Sequence, residues 1–218
     1  MSKSLNVFYP YILPSVMGAS TPVVKRAIRS AAIEFCRGSQ IVQEIATTNA
    51  TANRGEYDVE SPTQMQLDRV LQIFYNTTEL VLVPTLEVRS ALAMRGSVSG
   101  IDPVYNTPTT AYFKTPSGST FSVYPIPAED AANAFTVKAS FAPTRAASQL
   151  PDILFDDWVE GIAAGAIAIL QSTPAQSYTS PTAGTYRMVF NDAMLRARSE
   201  ARKGRVMAST RAKPVVFA

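Results

Sequence analysis

The sequence predicts an α+β fold, in which a helical bundle of three long helices is interrupted by an inserted small antiparallel β-domain. Two observations lead to this prediction. Apolar residues recur at helical spacing near both ends of the 218-residue chain, whereas residues 41–145 are rich in turns and in β-branched and aromatic residues. The predicted boundaries place residues 1–40 and 146–218 in the bundle and residues 41–145 in the β-domain. An extended N-terminal arm and an extended C-terminal tail complete the prediction.

The N-terminal part is predicted to start with the arm and to continue into the first helix. Residues 1–19 show no long periodic pattern, and we expect their aromatic side chains to pack as an extended segment. Ser20 or Thr21 can cap the first helix, and Pro22 suits its first turn. Gly38 is expected to end it. Five apolar residues lie at helical spacing inside it: Val24, Ala27, Ile28, Ala31 and Phe35.

The middle of the chain is predicted to hold several short strands. The segments "IVQEIATT" and "GEYDVE" form a first predicted pair, and "RVLQIFYN" and "ELVLVP" form a second one through the turn "NTT". Residues 85–94 are a short helix candidate with Thr85 as its cap. The segments "TAYFKT" and "TFSVYPIP" pair around "PSGS", and "FTVKASFAP" closes the region. Such short strands between turn residues are typical of a small antiparallel β-domain.

The most apolar segment, "LPDILFDDWVEGIAAGAIAILQS", predicts the second long helix, from Pro151 to about Ser172. An apolar stripe and a face of small residues would let it pack both in its own bundle and against a neighbouring chain. The stripe consists of Leu154, Trp158, Ile162, Ala166 and Ile169, and the small face of Gly161, Ala164, Gly165 and Ala168. Its longest uninterrupted apolar run has ten residues. A membrane span needs about 20, so we expect no membrane association.

The third helix is predicted to have Ser180 as its cap and Gly204 as its stop, with the tail after it. Its inward side consists of Tyr186, Phe190, Ala193 and Ala197. Residues 187–213 hold eight Lys or Arg and two acidic residues, a net charge of +6, whereas the rest of the chain has a net charge of −3. This asymmetry indicates a nearby polyanion, a tail that docks on an acidic surface, or a solvated helix face.

The composition excludes most catalytic arrangements. The chain has no histidine and one cysteine, Cys36, so neither a Ser-His-Asp nor a Cys-His arrangement can form within it. The adjacent carboxylates of Asp156 and Asp157 would point about 100° apart on a helix, which does not suit paired acid–base chemistry. The sequence contains no CxxC motif and no phosphate-binding glycine loop. We therefore predict no enzymatic activity, no cofactor and no metal.

Three segments spread over nearly the whole chain carry a family resemblance. They are "ILPSVMGASTPVVKRAIRSAAIEFCRGS", "VYPIP" followed by "VKASFAPTRAASQLPDILFDDWVEGIAAGAIAIL", and "FNDAMLRARSEARKGRV" with a tail after it. In their order and spacing they resemble the head-to-tail adaptor (connector) proteins of tailed bacteriophages. The sequence departs from the family pattern in "GSQIVQE" and at Ser177, where a tryptophan is expected.

The resemblance implies a structural virion protein that is assembled in the host cytoplasm and forms a ring of twelve copies beneath the portal protein. The β-region would face a tail tube, nozzle or tail-completion protein, and double-stranded DNA would pass through the ring. The tail would dock into the portal through Thr210, Arg211, Ala212, Lys213, Pro214, Val215, Val216 and Phe217. Ring or bundle packing would involve Phe35, Trp158, Gly161, Ile162, Gly165, Ile169, Tyr186 and Phe190. The basic residues that face the channel or the portal would be Arg196, Arg198, Arg202, Lys203 and Arg205.

Two other functions stay open at this point. A tail-completion or nozzle protein would occupy a neighbouring position in the same particle, although the helix-first layout favours the portal-proximal adaptor. The basic run "RARSEARKGR" is compatible with a nonspecific DNA-binding protein, because Lys and Arg neutralise phosphates without reading sequence. This run lacks the interleaved aromatic residues of surfaces that bind single strands.

Overall fold

The computed structural model of the protein describes four segments of the chain, residues 2–82, 106–113, 119–174 and 176–203. The chain divides into two compact units. The first, called the helical unit below, consists of Met1–Ile41 and Ala147–Ala218, and the second, called the β unit, of Val42–Ala146. Among the described residues, no helix is long and apolar enough to cross a membrane.

The described residues form five helices, two 3-10 turns and ten strands. The helices are α1 (Tyr9–Ile12), α2 (Thr21–Ser39), α3 (Asp152–Asp156), α4 (Val159–Gln171) and α5 (Ala183–Lys203), and the 3-10 turns are Leu5–Phe8 and Leu13–Ser15. The strands are β1 (Ser2–Ser4), β2 (Gln43–Ala50), β3 (Glu56–Asp58), β4 (Met65–Tyr75), β5 (Thr78–Glu79), β6 (Val81–Leu82), β7 (Thr110–Phe113), β8 (Thr120–Tyr124), β9 (Ala131–Pro143) and β10 (Gln149–Pro151).

The N-terminal segment is folded into the helical unit, so the prediction of an extended arm is wrong. Strand β1 pairs antiparallel with β10, and a series of short turns follows it. Four apolar residues of these turns are buried at spacings of three or four residues: Leu5, Phe8, Ile12 and Val16. The ring of Phe155 packs edge-on against Phe8 and Tyr11, with centroids 5.5 and 6.3 Å apart. The segment is therefore ordered by contacts within its own chain.

Helix α2 follows the predicted apolar spacing and buries every residue of the predicted series: Val24, Ala27, Ile28, Ala31 and Phe35. The predicted stop at Gly38 is wrong, because the helix continues through it and ends at Ser39. Gln40 takes the left-handed conformation instead, with φ 57°, and its N–H donates to the carbonyl of Cys36 at 2.8 Å. A Cβ on Gly38 would collide with the sulfur of Met194, so this glycine allows α5 to approach closely.

The second predicted long helix is two helices, α3 with 5 residues and α4 with 13. Trp158 interrupts them with φ −127° and ψ 15°, outside the helical region. Residues three apart lie on one side of a continuous helix. The break lets Phe155 pack on Phe8 while Trp158 packs on Phe35, with centroids 5.5 and 5.6 Å apart. The different positions of these two aromatic partners therefore account for the break between α3 and α4.

The β unit contains two four-stranded sheets in its described part, with strand orders β2-β9-β4-β5 and β3-β8-β7-β6. The predicted hairpin of "TAYFKT" with "TFSVYPIP" is confirmed, since β7 pairs antiparallel with β8. The predicted hairpin of "RVLQIFYN" with "ELVLVP" is confirmed only at its turn, where β4 pairs with β5, because Val81–Leu82 pair with β7 in the other sheet. The predicted pairing of β2 with β3 is wrong, because β2 pairs with β9 and β3 with β8. Strand β9 buries Phe135, Val137, Ala139 and Phe141 at alternate positions and is a central strand of its sheet.

The predicted fold class, a bundle of three long helices with a small antiparallel β-insert, is wrong. About 31% of the described residues lie in strands of three sheets, so the chain is richer in β-structure than predicted. The second long helix is broken, and β6 pairs parallel with β7, so the β unit is not purely antiparallel. The helix predicted over residues 85–94, the stop at Gly204 and the tail lie outside the described residues.

Tyr57 joins the two sheets of the β unit. Its side chain is 2% exposed, and its ring centroid lies 4.5 Å from that of Phe135 and 5.7 Å from that of Phe121. The hydroxyl donates to the carbonyl of Arg54 at 2.7 Å and accepts from the N–H of Thr51 at 3.2 Å. Burial raises the pKa of Tyr57 above 10.0, its ordinary value.

Tyr57→Phe is expected to lower the free energy of unfolding at neutral pH by about 1–2 kcal/mol, because the variant loses the part-buried hydrogen bonds of the hydroxyl to the main chain of Arg54 and Thr51. Since the pKa of Tyr57 is higher in the folded state, wild-type stability falls as pH rises from the unfolded value toward the folded one. The stability difference between wild type and variant should therefore shrink above about pH 10. Urea denaturation at pH 7 and pH 11 measures this, and a difference that stays constant contradicts it.

Candidate interaction surface

Helix α4 is enclosed by its own chain. Every residue from Gly161 to Ala168 is buried, and α1, α2, α3 and α5 all contact the helix. A Cβ on Gly161 would lie 2.5 Å from the Cβ of Ala193, and one on Gly165 would collide with the ring of Phe190. The predicted small-residue face therefore packs on helix α5. This face is therefore covered by the protein's own helix.

An aromatic cluster holds α2, α4 and α5 together. The ring centroid of Phe35 lies 5.6 Å from that of Trp158 and 6.0 Å from that of Phe190, and both phenylalanines are fully buried. At the surface, Arg187 makes a two-pronged ion pair with Glu34, and its guanidinium lies 5.0 Å from the ring centroid of Phe190. The hydrogen bonds that Arg187 donates to the carboxylate of Glu34 raise the pKa of Arg187. The cluster therefore fixes which side of α5 faces inward.

The structure places most of the predicted packing residues in or beside this cluster. Phe35, Gly161, Ile162, Gly165 and Phe190 are buried inside the helical unit. Ile169, Trp158 and Tyr186 are half-buried. The hydroxyl of Tyr186 lies 3.1 Å from Ser15 Oγ, which connects α5 to the N-terminal segment.

The outward side of α5 carries three exposed apolar residues, a feature that the sequence analysis missed. Met188 is 66% exposed, Val189 49% and Leu195 60%. Met188 and Leu195 are seven residues apart and lie within about 20° of each other around the helix, so they form one stripe, with the exposed side chain of Asp192 between them on the same side. This spacing is visible in the sequence, but the inward series of Tyr186 and Phe190 has the same period. Exposed apolar side chains in such a stripe suit contact with another protein surface.

Basic residues surround this stripe toward the end of α5. Arg196, Arg198, Arg202 and Lys203 are all exposed. Arg196 pairs with Asp192 at 2.6 Å, and both side chains are more than half exposed, so this pair adds little stability. Arg205 and the predicted portal-docking residues Thr210–Phe217 lie outside the described residues.

The outward side of α5 has exposed apolar side chains and positive charge, which suit binding to a partner rather than making or breaking covalent bonds. Cys36 is fully buried against the core of the helical unit. Within the described segments, no group of three or more His, Cys, Asp or Glu side chains is arranged to hold a metal ion. Helix α5 thus presents an apolar stripe with a basic end, a combination that fits another protein or a polyanion.

Comparison with known proteins identifies the family. A family model described as SU10 adaptor protein matches residues 13–213, which is most of the chain. This is a family of phage head-to-tail adaptors, and it confirms the resemblance found in the sequence. No curated protein matches the chain. Membership implies association with portal and tail components at the head–tail junction of the virion. The chain therefore belongs to the SU10 adaptor protein family and is a structural protein of the phage particle.

Proposed function

We propose that this adaptor forms a ring of twelve copies, which bridges the portal to the tail and lines the channel through which DNA leaves the head. The observation that carries the proposal is the outward side of α5, where Met188, Val189 and Leu195 are exposed beside a basic end. A ring subunit needs lateral contact surfaces, and exposed apolar side chains on one side of a helix suit such a contact. Family membership supplies the position in the particle.

The basic residues of α5 have a role that fits this position. Arg198, Arg202 and Lys203 are exposed, and such side chains neutralise phosphates without reading sequence. DNA of any sequence must pass through the channel, so contacts in the channel must not depend on the DNA sequence. Arg205 continues this basic series in the sequence. These residues face the channel or the acidic parts of the portal.

The C-terminal residues Thr210–Phe217 dock into the portal in this proposal. Their sequence, "TRAKPVVF", has two positive charges followed by an apolar end. An extended apolar segment can add to a sheet edge or fill a groove on a partner. The β unit faces the tail tube, nozzle or tail-completion protein, and assembly takes place in the host cytoplasm.

Electron microscopy of the adaptor together with the portal protein of the same phage tests the proposal. We expect a collar with twelve-fold symmetry on the portal. A monomer that ignores the portal and binds DNA, with log affinity falling linearly against log salt, would support the nonspecific DNA-binding alternative. A protein that leaves the portal bare and instead binds purified tails of the same phage would favour the tail-completion or nozzle alternative.

Truncation after Gly204 tests the docking role of the C-terminal residues. It removes residues 205–218 and leaves every described residue in place. We expect circular dichroism and the fluorescence of Trp158, the one tryptophan, to match those of the full chain, while binding to the portal is lost. Unfolding of the truncated chain would make the tail part of the core and would contradict the docking role.

A further inference from the structure

The apolar stripe on α5 is exposed in the subunit. Met188, Val189 and Leu195 lie on the outward side of the helix, and about half or more of each side chain is open to solvent. Contact between apolar side chains and water costs free energy, which a covering segment recovers. The stripe is therefore a binding surface for any apolar segment that can reach it.

The part of the chain that follows α5 can reach the whole stripe. Helix α5 ends at Lys203, and Leu195 and Met188 lie about 12 and 22 Å back from that end, at 1.5 Å per residue. Residues 204–218 come next and lie outside the described residues. Fifteen extended residues can span roughly 50 Å. The first of them, Gly204, suits a reversal of direction, because glycine readily takes the left-handed conformation found after many helices.

The composition of residues 204–218, called the C-terminal segment below, suits an apolar surface. Its sequence is "GRVMASTRAKPVVFA", which contains no acidic residue. Apolar side chains form two groups in it, Val206–Met207 and Val215–Phe217. After a reversal, the first group comes within reach of Leu195. The second group comes within reach of Met188, with length to spare.

The charges make the apolar contact the main source of affinity. Asp192 lies on the stripe, is more than half exposed and pairs with Arg196. A carboxylate accepts several hydrogen bonds, so Arg211 or Lys213 can bind it in addition. Arg202 and the rest of the basic end of α5 repel the same cations. Because attraction and repulsion oppose each other, the contact is weak enough to be released.

From this reach and composition we propose that the C-terminal segment of the free subunit folds back and covers the α5 stripe. A segment tethered this closely has an effective concentration on the order of 1 mM at the stripe. A neighbouring copy is present only at its own free concentration. In dilute protein the segment therefore occupies the stripe before a neighbour does.

This contact regulates when α5 becomes available. The inference rests on the proposed function, in which Thr210–Phe217 dock into the portal. The same residues cannot bind the portal and the stripe at once, so a portal that takes the segment uncovers Met188 and Leu195. Contact through α5 is thereby restricted to subunits that have already met the portal.

The reactivity of a thiol on the stripe tests the contact in the free subunit. Met188→Cys places an exposed thiol there, and the natural Cys36 is fully buried, so it adds no rapid reaction. A maleimide should react about 10-fold more slowly with this chain than with the same chain truncated after Gly204. That factor corresponds to an effective concentration of about 1 mM and a dissociation constant of about 0.1 mM.

Ile45→Cys is the matched control. Ile45 is 65% exposed, as Met188 is 66% exposed, but it belongs to the β unit. Truncation after Gly204 should leave the reaction rate of this thiol unchanged. The measurement is repeated at several dilutions, because protection by the protein's own segment does not depend on protein concentration.

Two variants of the C-terminal segment separate apolar contact from charge. Val215→Ser with Val216→Ser and Phe217→Ser keeps every basic residue and should raise the rate of the thiol at position 188 to that of the truncated chain. Arg211→Gln with Lys213→Gln keeps the apolar residues and should leave most of the protection. Neither variant changes a described residue, so both should fold.

Three results would overturn the contact. They are equal rates in the full and truncated chains, protection that disappears on dilution, and protection that depends on the basic residues but not on the apolar ones. Portal protein in excess should raise the rate to that of the truncated chain, and a bound subunit that stays protected would contradict the release.

The proposed function is tested separately by binding to the portal. Protection in a chain that does not bind the portal would support the contact with the stripe and contradict docking of the C-terminal segment. Portal binding by a chain whose thiol is unprotected would do the reverse.

Discussion

Gly165→Ala should destabilise the helical unit by about 1–3 kcal/mol, as expected for overpacking, although alanine is the better helix former by about 1 kcal/mol. A Cβ at this position would collide with Phe190 Cδ2 and lie 2.7 Å from its Cε2. The ring of Phe190 is fully buried and packs against Phe35, with centroids 6.0 Å apart, so it has no free space to enter. Helices α4 and α5 must then move apart. Urea denaturation followed by the fluorescence of Trp158 measures the loss.

Gly184→Ala is the matched control. It makes the same chemical change in a helix, but a Cβ there meets nothing within 4 Å among the described residues. We expect this variant to be more stable than wild type by up to about 1 kcal/mol. Phe190→Leu should cost less in the Gly165→Ala background than in wild type, with a coupling energy of about 0.5–3 kcal/mol. Equal effects of the two glycine substitutions would show that close approach is not the role of Gly165.

The sequence predicts the inward side of a helix well where that side follows from local apolar spacing. The apolar spacing of α2 gave its inward side, including Phe35, because a regular helix fixes that side by period alone. The break at Trp158 does not follow from period. It depends on Phe8 and Phe35, which lie far away in the sequence and select different directions for Phe155 and Trp158.

The strand pairings show the same division between local and distant contacts. The hairpins β4–β5 and β7–β8 follow from turn residues close to their strands. The pairing of β2 with β9 joins Gln43 to Ser140, and alternation of apolar residues alone cannot rank such distant partners. The N-terminal turns were missed because Pro10 and Pro14 obscure the helical spacing of the buried residues Leu5, Phe8, Ile12 and Val16.

The interaction surface was predictable only in part. The basic residues Arg198, Arg202 and Lys203 were identified by composition, and they are exposed. Met188 and Leu195 were overlooked because two apolar series with the same period run along α5. Which of them faces inward is decided by the collision geometry at Gly161 and Gly165, and that requires the neighbouring helix. Sequence reasoning therefore found the charged part of the surface and missed its apolar part.

Phe135→Ala should be the most destabilising single substitution in the β unit. The side chain is fully buried, and its ring centroid lies 4.5, 5.1 and 5.7 Å from those of Tyr57, Tyr75 and Phe121. Removing it leaves a cavity where three rings met, and such truncations of phenylalanine cost about 3–5 kcal/mol. That is a large share of the roughly 5–15 kcal/mol by which domains are stable, so we expect partial unfolding at ambient temperature. Thermal denaturation followed by far-ultraviolet circular dichroism measures it.

Ile45→Ala is the control, because it removes an apolar side chain that is exposed rather than buried. Ile45 lies on β2, the edge strand beside β9, and is 65% exposed, so its loss should change the free energy of unfolding by no more than about 0.5 kcal/mol. Phe135→Leu keeps most of the buried volume and should cost clearly less than the alanine variant. If Phe135→Ala and Ile45→Ala had similar effects, the ring cluster would not be the core of the β unit. The contrast arises because Phe135 lies on the central strand β9, where rings from both sheets meet, and Ile45 contributes to neither sheet's interior.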